Sequence, residues 1–308
     1  MALAPIVLFT YNRPWHLMQT VSALLKNFLA SESEIFIFSD GPKDENDEAK
    51  VAEVRKYIKT IKGFKRIEII ERDKNWGLAN NIIDGITKVV NQYGKVVVLE
   101  DDLVTSPYFL KFMNDGLNMY EEEEKVISVH GYVYPIKGLP EIFFLRGADC
   151  WGWATWKRGW DLFEKDGKKL LDELEKRKLT KLFDFNGAYP YTKMLKDQVE
   201  GKVDSWAIRW YASAFIHEKL TLYPGISLVK HIGDLGIHIK GNSWWLDFEL
   251  SEKPIFVKRI PPIEDPEVRK KIEDFFFRIK RKRKISDLLK QPEKLIKRFL
   301  SRFIELWK

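Results

Sequence analysis

Short hydrophobic runs rich in β-branched residues alternate with longer amphipathic segments over the first 130 residues of the chain. Runs of this length predict β-strands, whereas apolar residues repeating every three to four positions predict helices. The predicted strands are 6–10, 35–39, 66–70, 95–99 and 126–129. The predicted helices between them are 14–28, 47–61, 78–93 and 107–120. This alternation predicts an α/β fold with a mostly parallel, doubly wound sheet.

Polar residues follow each of the first four predicted strands. In an open parallel sheet, ligands bind beyond the carboxyl ends of the strands, so these positions are the first to examine for function. They are Thr10-Tyr-Asn-Arg13, Ser39-Asp-Gly41, Asn75-Trp-Gly77 and Glu100-Asp-Asp102. We therefore predict a polar crevice along one rim of the sheet.

Three consecutive carboxylates, Glu100, Asp101 and Asp102, come directly after the apolar run that ends at Leu99. Like charges this close are unfavourable unless a cation neutralises them. A divalent ion such as Mn²⁺ or Mg²⁺ takes oxygen ligands and leaves room for substrate phosphates. The alternative is a solvated turn in which Asp102 caps the following helix.

Taken in order, four motifs resemble the nucleotide-binding half of GT-A glycosyltransferases. They are Phe9-Thr-Tyr-Asn-Arg-Pro14, Ser39-Asp-Gly41, Asn75-Trp-Gly-Leu-Ala-Asn80 and Leu99-Glu-Asp-Asp-Leu103. Family-two-type enzymes and N-acetylglucosaminyltransferase I, whose acidic motif is also Glu-Asp-Asp, are the most similar in kind. The resemblance implies a Rossmann-like GT-A fold and metal-dependent transfer, with inversion, of a sugar from a nucleotide-sugar, most often a UDP-sugar. We expect a glycan or a lipid-linked acceptor.

The resemblance also implies roles for the matching residues. Asp102 would ligate the metal that bridges the two donor phosphates, and Asp101 would hold the donor ribose or sugar. Asp40 would accept a hydrogen bond from the base, and Arg13 would lie against the nucleotide. The other residues of the predicted donor site are Thr10, Tyr11, Asn12, Asn75, Gly77, Asn80 and Glu100. The alternatives are a surface arginine at position 13 and an ordinary Asp-Gly turn at position 40.

A later, glycine-punctuated segment contains His231 and His238. Enzymes of the resembled type often close such a loop over the diphosphate, and neutral imidazole suits Mn²⁺. We predict His231 as a second metal ligand. A structural or solvent-facing histidine is the alternative.

Inverting transfer needs a base that takes the proton from the acceptor hydroxyl. Asp204, at the start of a predicted helix, and Asp149 are the candidates; the alternatives are a helix N-cap for Asp204 and an acceptor-holding residue for Asp149. Trp151, Trp153 and Trp156 are predicted to stack on the acceptor sugar. Burial in the core is the alternative for each tryptophan.

The charge distribution marks a boundary near the C-terminus. From Arg269 to Arg302 there are fourteen Lys or Arg against four Asp or Glu, a local net charge of +10 within a chain total of +7. We therefore predict a glycosyltransferase domain at 1–250, with a nucleotide-binding half at 1–130 and an acceptor half at 131–250. A proline-containing linker at 251–268 would lead to a basic amphipathic helical tail at 269–308. The tail is suited to an anionic membrane surface, and packing on the body or against another copy are the alternatives.

The remaining composition narrows the class of protein. One cysteine, Cys150, excludes an internal disulfide framework and a thiolate-rich metal site. The short apolar run at the N-terminus contains a proline and is interpreted as a strand rather than a signal peptide. We expect a cytoplasmic protein, with peripheral contact to the inner face of the membrane as an option, and no nucleic-acid partner.

Two other functions are compatible with the same pattern. A sugar-phosphate nucleotidyltransferase shares the sheet and the acidic metal site, but usually has a glycine-rich basic loop after its first strand, which Phe9–Pro14 lacks. A non-catalytic membrane-surface module that kept the fold is the other. The presence of both Asp102 and Asp204 argues against that module.

Overall fold

The computed structural model describes residues 2–233 and 250–289, with side chains as far as Lys282. The strands are β1 (Ile6–Thr10), β2 (Glu34–Ser39), β3 (Arg66–Glu71), β4 (Lys95–Glu100), β5 (Leu103–Thr105), β6 (Val126–His130), β7 (Ile142–Arg146), β8 (Trp153–Trp156), β9 (Leu220–Pro224) and β10 (Val229–His231). The helices are α1 (Pro14–Leu25), α2 (Glu45–Ile58), α3 (Leu78–Tyr93), α4 (Phe109–Met119), α5 (Lys157–Trp160), α6 (Gly167–Lys176), α7 (Thr180–Phe183), α8 (Tyr191–Val199), α9 (Trp206–Ile216) and α10 (Pro266–Leu289).

Eight strands form one sheet in the order β3-β2-β1-β4-β8-β6-β9-β7. The first four of these run parallel, β8 is antiparallel to both of its neighbours, and β9 is parallel to β6. The predicted mostly parallel α/β sheet is confirmed. β5 and β10 form a separate two-stranded ladder.

Both faces of the sheet are buried, which explains why the strands are continuous apolar runs. Leu8, Ile37 and Leu99 pack on one face, and side chains of the opposite parity, such as Val7 and Val98, pack on the other. The helices that join the strands cover these two faces. The four parallel strands β1 to β4 therefore end in polar residues at one rim, where the covering stops.

The tryptophans of β8 belong to these two cores. Trp153 is 0% exposed and its ring lies 5.3 Å from that of Trp210, while Trp156 is 3% exposed and donates its indole N–H to the carbonyl of Leu117. The prediction that Trp153 and Trp156 stack on the acceptor is wrong. Because both faces of this sheet are covered, the large apolar side chains of β8 fill the core on either side.

Replacing Trp153 with alanine is expected to lower the free energy of unfolding by about 3–5 kcal/mol, because the cavity left in the core cannot fully close. Guanidinium unfolding monitored by far-ultraviolet circular dichroism measures this. Trp15→Ala is the control, since that ring is 55% exposed, and a change within about 0.5 kcal/mol is expected there. Equal losses in the two variants would contradict the core assignment.

Helix α10 is the described part of the predicted tail. Its apolar residues Val268, Ile272, Phe275, Phe276 and Ile279 are buried against the body. Packing on the body, one of the alternatives, therefore accounts for the apolar face as far as Ile279. Residues 290–308 lie outside the described part of the chain, and membrane contact stays a prediction.

Within residues 2–233 and 250–289, no helix combines the length and the apolar character needed to cross a membrane.

Candidate active site

The parallel strands bring the predicted motifs to one rim. β1 lies between β2 and β4, with Thr10 paired to Ser39 and Phe9 paired to Glu100. The segment after β1 therefore lies beside both the Asp40 turn and the acidic turn after β4. The predicted polar crevice is built from these turns.

Arg13 joins the two aspartates of the acidic turn. Its Nη1 donates to Oδ2 of Asp102 at 2.7 Å, and its Nη2 donates to Oδ1 of Asp101. Asp101 also accepts hydrogen bonds from the hydroxyl of Thr10 at 3.0 Å and from the backbone N–H of Tyr11, and it is only 2% exposed. Both carboxylate oxygens of Asp101 thus accept hydrogen bonds from the protein itself, so Asp101 holds the turn and Arg13 in position. Its predicted contact with the donor ribose is not part of this geometry.

His231 lies against Asp102, although the two are far apart in sequence. The β5–β10 ladder pairs His231 with Leu103, and the backbone N–H of Ile232 donates to the carbonyl of Asp102 at 2.9 Å. As a result, Nε2 of His231 is 3.2 Å from Oδ2 of Asp102. The two predicted metal ligands are therefore neighbours.

Two carboxyl groups of the acidic turn differ widely in pKa. Burial alone would raise the pKa of Asp102, but the hydrogen bond and charge of His231 and the charge of Arg13 outweigh it and lower the pKa to about 2. Burial and the charge of Asp102 raise the pKa of Glu100 to about 8. At neutral pH Asp102 is therefore ionised beside Arg13, while Glu100 is mostly protonated.

Asp102 and His231 are the residues that would hold a divalent cation. No group of three His, Cys, Asp or Glu side chains suited to a metal occurs in the part of the chain that the structure describes. The carboxylate oxygen and the imidazole nitrogen of this pair lie 3.2 Å apart, so both would reach one ion, with water and phosphate oxygens as its other ligands.

Gly233 lies directly against Asp102 and His231. A Cβ at this position would lie 2.6 Å from Oδ2 of Asp102 and 3.2 Å from Nη1 of Arg13. Only a residue without a side chain leaves the carboxylate accessible in this geometry.

Gly233→Ala is therefore expected to weaken Mn²⁺-dependent nucleotide binding by about 10- to 100-fold, the cost usually seen when the surroundings of a metal ligand are disturbed. Isothermal titration calorimetry measures this effect. The melting temperature of the same variant is the control and is expected to stay unchanged. Unaltered nucleotide affinity would show that the metal does not reach Asp102 from the side of Gly233.

Asp40 organises the neighbouring loop. Its carboxylate accepts hydrogen bonds from the backbone N–H groups of Trp76 at 2.8 Å and Gly77 at 3.1 Å, and the amide of Asn75 donates to the carbonyl of Gly41. A Cβ on Gly41 would lie 2.4 Å from the carbonyl carbon of Lys74, which explains the glycine. Asp40 is only 4% exposed, so its carboxylate holds this loop and is not free to accept a hydrogen bond from a nucleotide base.

Other residues of the predicted donor site lie at the same rim. The Tyr11 hydroxyl and the Asn12 amide both donate to Asp47, at the start of α2, and the Asn80 amide donates to the carbonyl of Trp76. Sequence reasoning missed Asp47. Acidic residues are common in the first turn of any helix, so its position carried no separate signal.

Asp149 lies in a cavity of about 140 Å³ whose walls are mainly aromatic. Burial raises the pKa of Asp149 to about 6, against the effect of hydrogen bonds from the Cys150 backbone N–H and the Tyr223 hydroxyl. Sequence reasoning singled out none of the tyrosines that surround this carboxylate. They come from β9, α8, α9 and the segments that follow β6 and precede α8, so no single stretch of sequence shows them together.

Trp151 connects this cavity to the acidic turn. It lines the cavity, and its ring stacks on that of His231, with centroids 4.8 Å apart and planes 15° apart. The backbone N–H of Trp151 donates to Nε2 of His130 at 3.0 Å, so Nδ1 of that ring carries the proton and donates to the carbonyl of Tyr132. Burial lowers the pKa of His130 to about 3, which keeps it neutral. Of the three predicted acceptor-binding tryptophans, Trp151 alone faces a cavity.

Asp204 occupies a different environment. Its side chain is 62% exposed, and its Oδ1 accepts a hydrogen bond from Nη2 of Arg209 at 3.0 Å. The residue that caps α9 is Ser205, whose hydroxyl accepts from the backbone N–H of Ile208. The structure therefore places Asp149 in the enclosed site and Asp204 on the surface beside it.

Comparison with known proteins gives both a family and structural likenesses. The model of glycosyl transferase family 2 matches residues 6–171. Among solved structures, a mannosyltransferase from Pyrobaculum calidifontis, solved with GDP-Man and Mn²⁺, is 14% identical with a TM-score of 0.33, over 43% of this chain and 36% of that one. TarS 1-349 of S. aureus, solved with UDP-GlcNAc, is 15% identical with a TM-score of 0.31, over 45% and 37%. Glucosyl-3-phosphoglycerate synthase from Mycobacterium tuberculosis is 11% identical with a TM-score of 0.33, over 56% and 66%.

In each of these three comparisons the matched part is under two thirds of the solved chain. None of the curated proteins matches this chain. The likeness to N-acetylglucosaminyltransferase I stays a sequence prediction. The family match covers more than half of the chain, including the acidic turn, Asp149 and Trp151. The chain therefore belongs to glycosyl transferase family 2.

Proposed function

We propose that the protein transfers a sugar from a nucleotide-sugar, a UDP-sugar in the first instance, to a glycan acceptor with inversion at the anomeric carbon. Asp102 and His231 would hold Mn²⁺ or Mg²⁺, and Asp149 would act as the base. One observation carries the proposal: the ring of Trp151 stacks on His231 on one side and lines the cavity of Asp149 on the other. Trp151 therefore contacts one residue of the proposed metal site and also lines the cavity that contains Asp149.

The donor side uses the rim. A metal bound there would neutralise the charge that develops on the leaving diphosphate. Arg13 orients Asp102 through its hydrogen bond, and its cationic group remains beside the place where the phosphates would lie. Asp40 holds the loop from Asn75 to Gly77 in the conformation that completes the donor side.

The acceptor side uses the cavity. Asp149 would take the proton of the acceptor hydroxyl while the oxygen of that hydroxyl bonds to the anomeric carbon and the bond to the diphosphate breaks. A pKa of about 6 keeps the carboxylate ionised at neutral pH and makes it a stronger base than an ordinary aspartate. The carboxylate of Asp204 is exposed and paired with Arg209, whereas that of Asp149 is enclosed in the cavity, so we assign the base to Asp149.

Calorimetric titration of the wild-type chain with UDP, and with GDP for comparison, tests the donor part of the proposal. Binding of UDP is expected with Mn²⁺ and is expected to be lost when EDTA removes the metal. Binding of GDP but not of UDP would indicate that the donor is a GDP-sugar, with the same type of reaction. Absence of nucleotide binding under every metal condition would contradict the proposed function.

A further inference from the structure

The wall of the main Asp149 cavity carries tyrosine rings and hydroxyl groups but no Lys or Arg side chain among the residues that the structure describes there. Tyr134, Tyr191 and Tyr211 contribute to it, and Asp149 is the acidic group within it. Aromatic faces favour the C–H faces of sugar rings, and phenolic hydroxyls can bond to sugar hydroxyls. A phosphate or carboxylate would be repelled by Asp149, and the arginine that lines the narrow extension of the cavity, Arg146, already lies 3.6 Å from the carboxylate of Glu218.

Tyr211 supplies a second, independent observation. The residue is 5% exposed, and its hydroxyl has no hydrogen-bond partner within the described residues. It lines the Asp149 cavity and also the narrow extension of that cavity toward Ile272 of α10. A buried hydroxyl without a partner costs free energy, so it marks a position where a ligand group or water is bound.

Resting on the proposed function, we infer that the acceptor unit bound beside Asp149 is an uncharged sugar, and that the Tyr211 hydroxyl hydrogen-bonds to it. The ring of Tyr211 is held independently of that bond, since it stacks on Tyr191 at 4.6 Å and contacts Phe183 at 5.1 Å. Removal of the hydroxyl alone therefore leaves the cavity wall in place. Tyr211 acts as a residue that determines acceptor specificity.

The substrate-class test compares neutral and anionic acceptors with the full chain, a UDP-sugar that it hydrolyses, and Mn²⁺. Methyl glycosides of glucose, galactose and N-acetylglucosamine are the neutral probes, and methyl glucuronide and glucose 6-phosphate are the anionic probes. At least one neutral glycoside is expected to increase UDP release above the rate with water, and the anionic probes are expected to give at least about tenfold less stimulation. Equal or greater stimulation by the anionic probes, or none by any neutral probe in an enzyme that hydrolyses the donor, would overturn the inference.

The test of Tyr211 uses Tyr211→Phe with the glycoside that stimulates best. The KM for the acceptor is expected to rise about tenfold, which corresponds to the loss of one hydrogen bond. The KM for the donor, donor hydrolysis in water and the melting temperature are expected to stay unchanged. Tyr57→Phe, near the end of α2 that points away from the rim, is the matched control and is expected to alter none of these.

Three outcomes distinguish failure of the Tyr211 role from failure of the proposed function. An unchanged acceptor KM in Tyr211→Phe would overturn the role of this hydroxyl, and a melting temperature lowered together with every kinetic parameter would indicate a structural role only. Failure of the wild-type chain to bind any nucleotide would instead remove the proposed function. These results cannot be confused, because donor binding is measured without an acceptor.

Discussion

Asp149→Asn is expected to slow sugar transfer by roughly 10²- to 10⁴-fold, the contribution of a general base, while UDP affinity stays unchanged. The asparagine keeps the size of the side chain and the hydrogen bond from the Cys150 backbone N–H, but it cannot accept a proton. Single-turnover transfer with the best acceptor measures the rate. Calorimetric titration of UDP confirms that the donor site is intact.

Asp204→Asn is the matched control for this prediction. It is the same chemical change on a carboxylate that is 62% exposed and paired with Arg209. A change of less than about threefold in the transfer rate is expected, because surface ion pairs contribute little. If instead Asp204→Asn abolished transfer and Asp149→Asn did not, the base would be Asp204.

The pH dependence follows from the same residue. Because the base must be ionised, kcat/KM is expected to rise with pH through about 6 and to level off above it. Below that pH the carboxyl is protonated and transfer is slow. In Asp149→Asn this rising limb is expected to disappear from the residual activity, whereas a limb that persists would belong to another group.

Asp102→Asn is expected to weaken Mn²⁺-dependent UDP binding by at least about 100-fold, since changes to the surroundings of a ligand alone cost about 10- to 100-fold. The substitution removes the charge that Oδ2 presents to Arg13, His231 and the metal. Titration of UDP with Mn²⁺, together with electron paramagnetic resonance of Mn²⁺ itself, measures the loss.

Asp161→Asn serves as the control for Asp102→Asn, since Asp161 forms a surface ion pair with Lys157. Nucleotide affinity is expected to remain at the wild-type value there. If Asp102→Asn also retained full Mn²⁺-dependent affinity, the metal would have to be held by other residues.

Much of the fold could be predicted from the sequence because the hydrophobic pattern of each strand and helix is visible within a short stretch of the chain. The parallel strands β1, β2 and β4 are buried on both faces, so each appears as a continuous apolar run, and the helices between the strands show one apolar face. The acidic turn could be predicted for the same reason, because Glu100, Asp101 and Asp102 directly follow β4. All five predicted strands and the four helices between them are present, with small shifts at their ends.

The aromatic motif shows where local reasoning fails. Trp151 and Trp153 are separated by one residue, yet one lines a cavity and the other is 0% exposed. The difference depends on where β8 begins and on its position between β4 and β6. That position depends on pairing with distant strands, which local sequence does not encode.

The sequence by itself determined the α/β class, the polar rim and the residue types that could bind a metal and a nucleotide, because these depend on neighbouring positions in the chain. The tertiary structure decided which of them act together. The β5–β10 ladder places His231 on Asp102, and the packing of α8 and α9 encloses Asp149 with Tyr191 and Tyr211 while Asp204 stays on the surface. The physical reason is that burial and charge pairing arise from contacts between distant segments, and these contacts set the pKa of each carboxyl group.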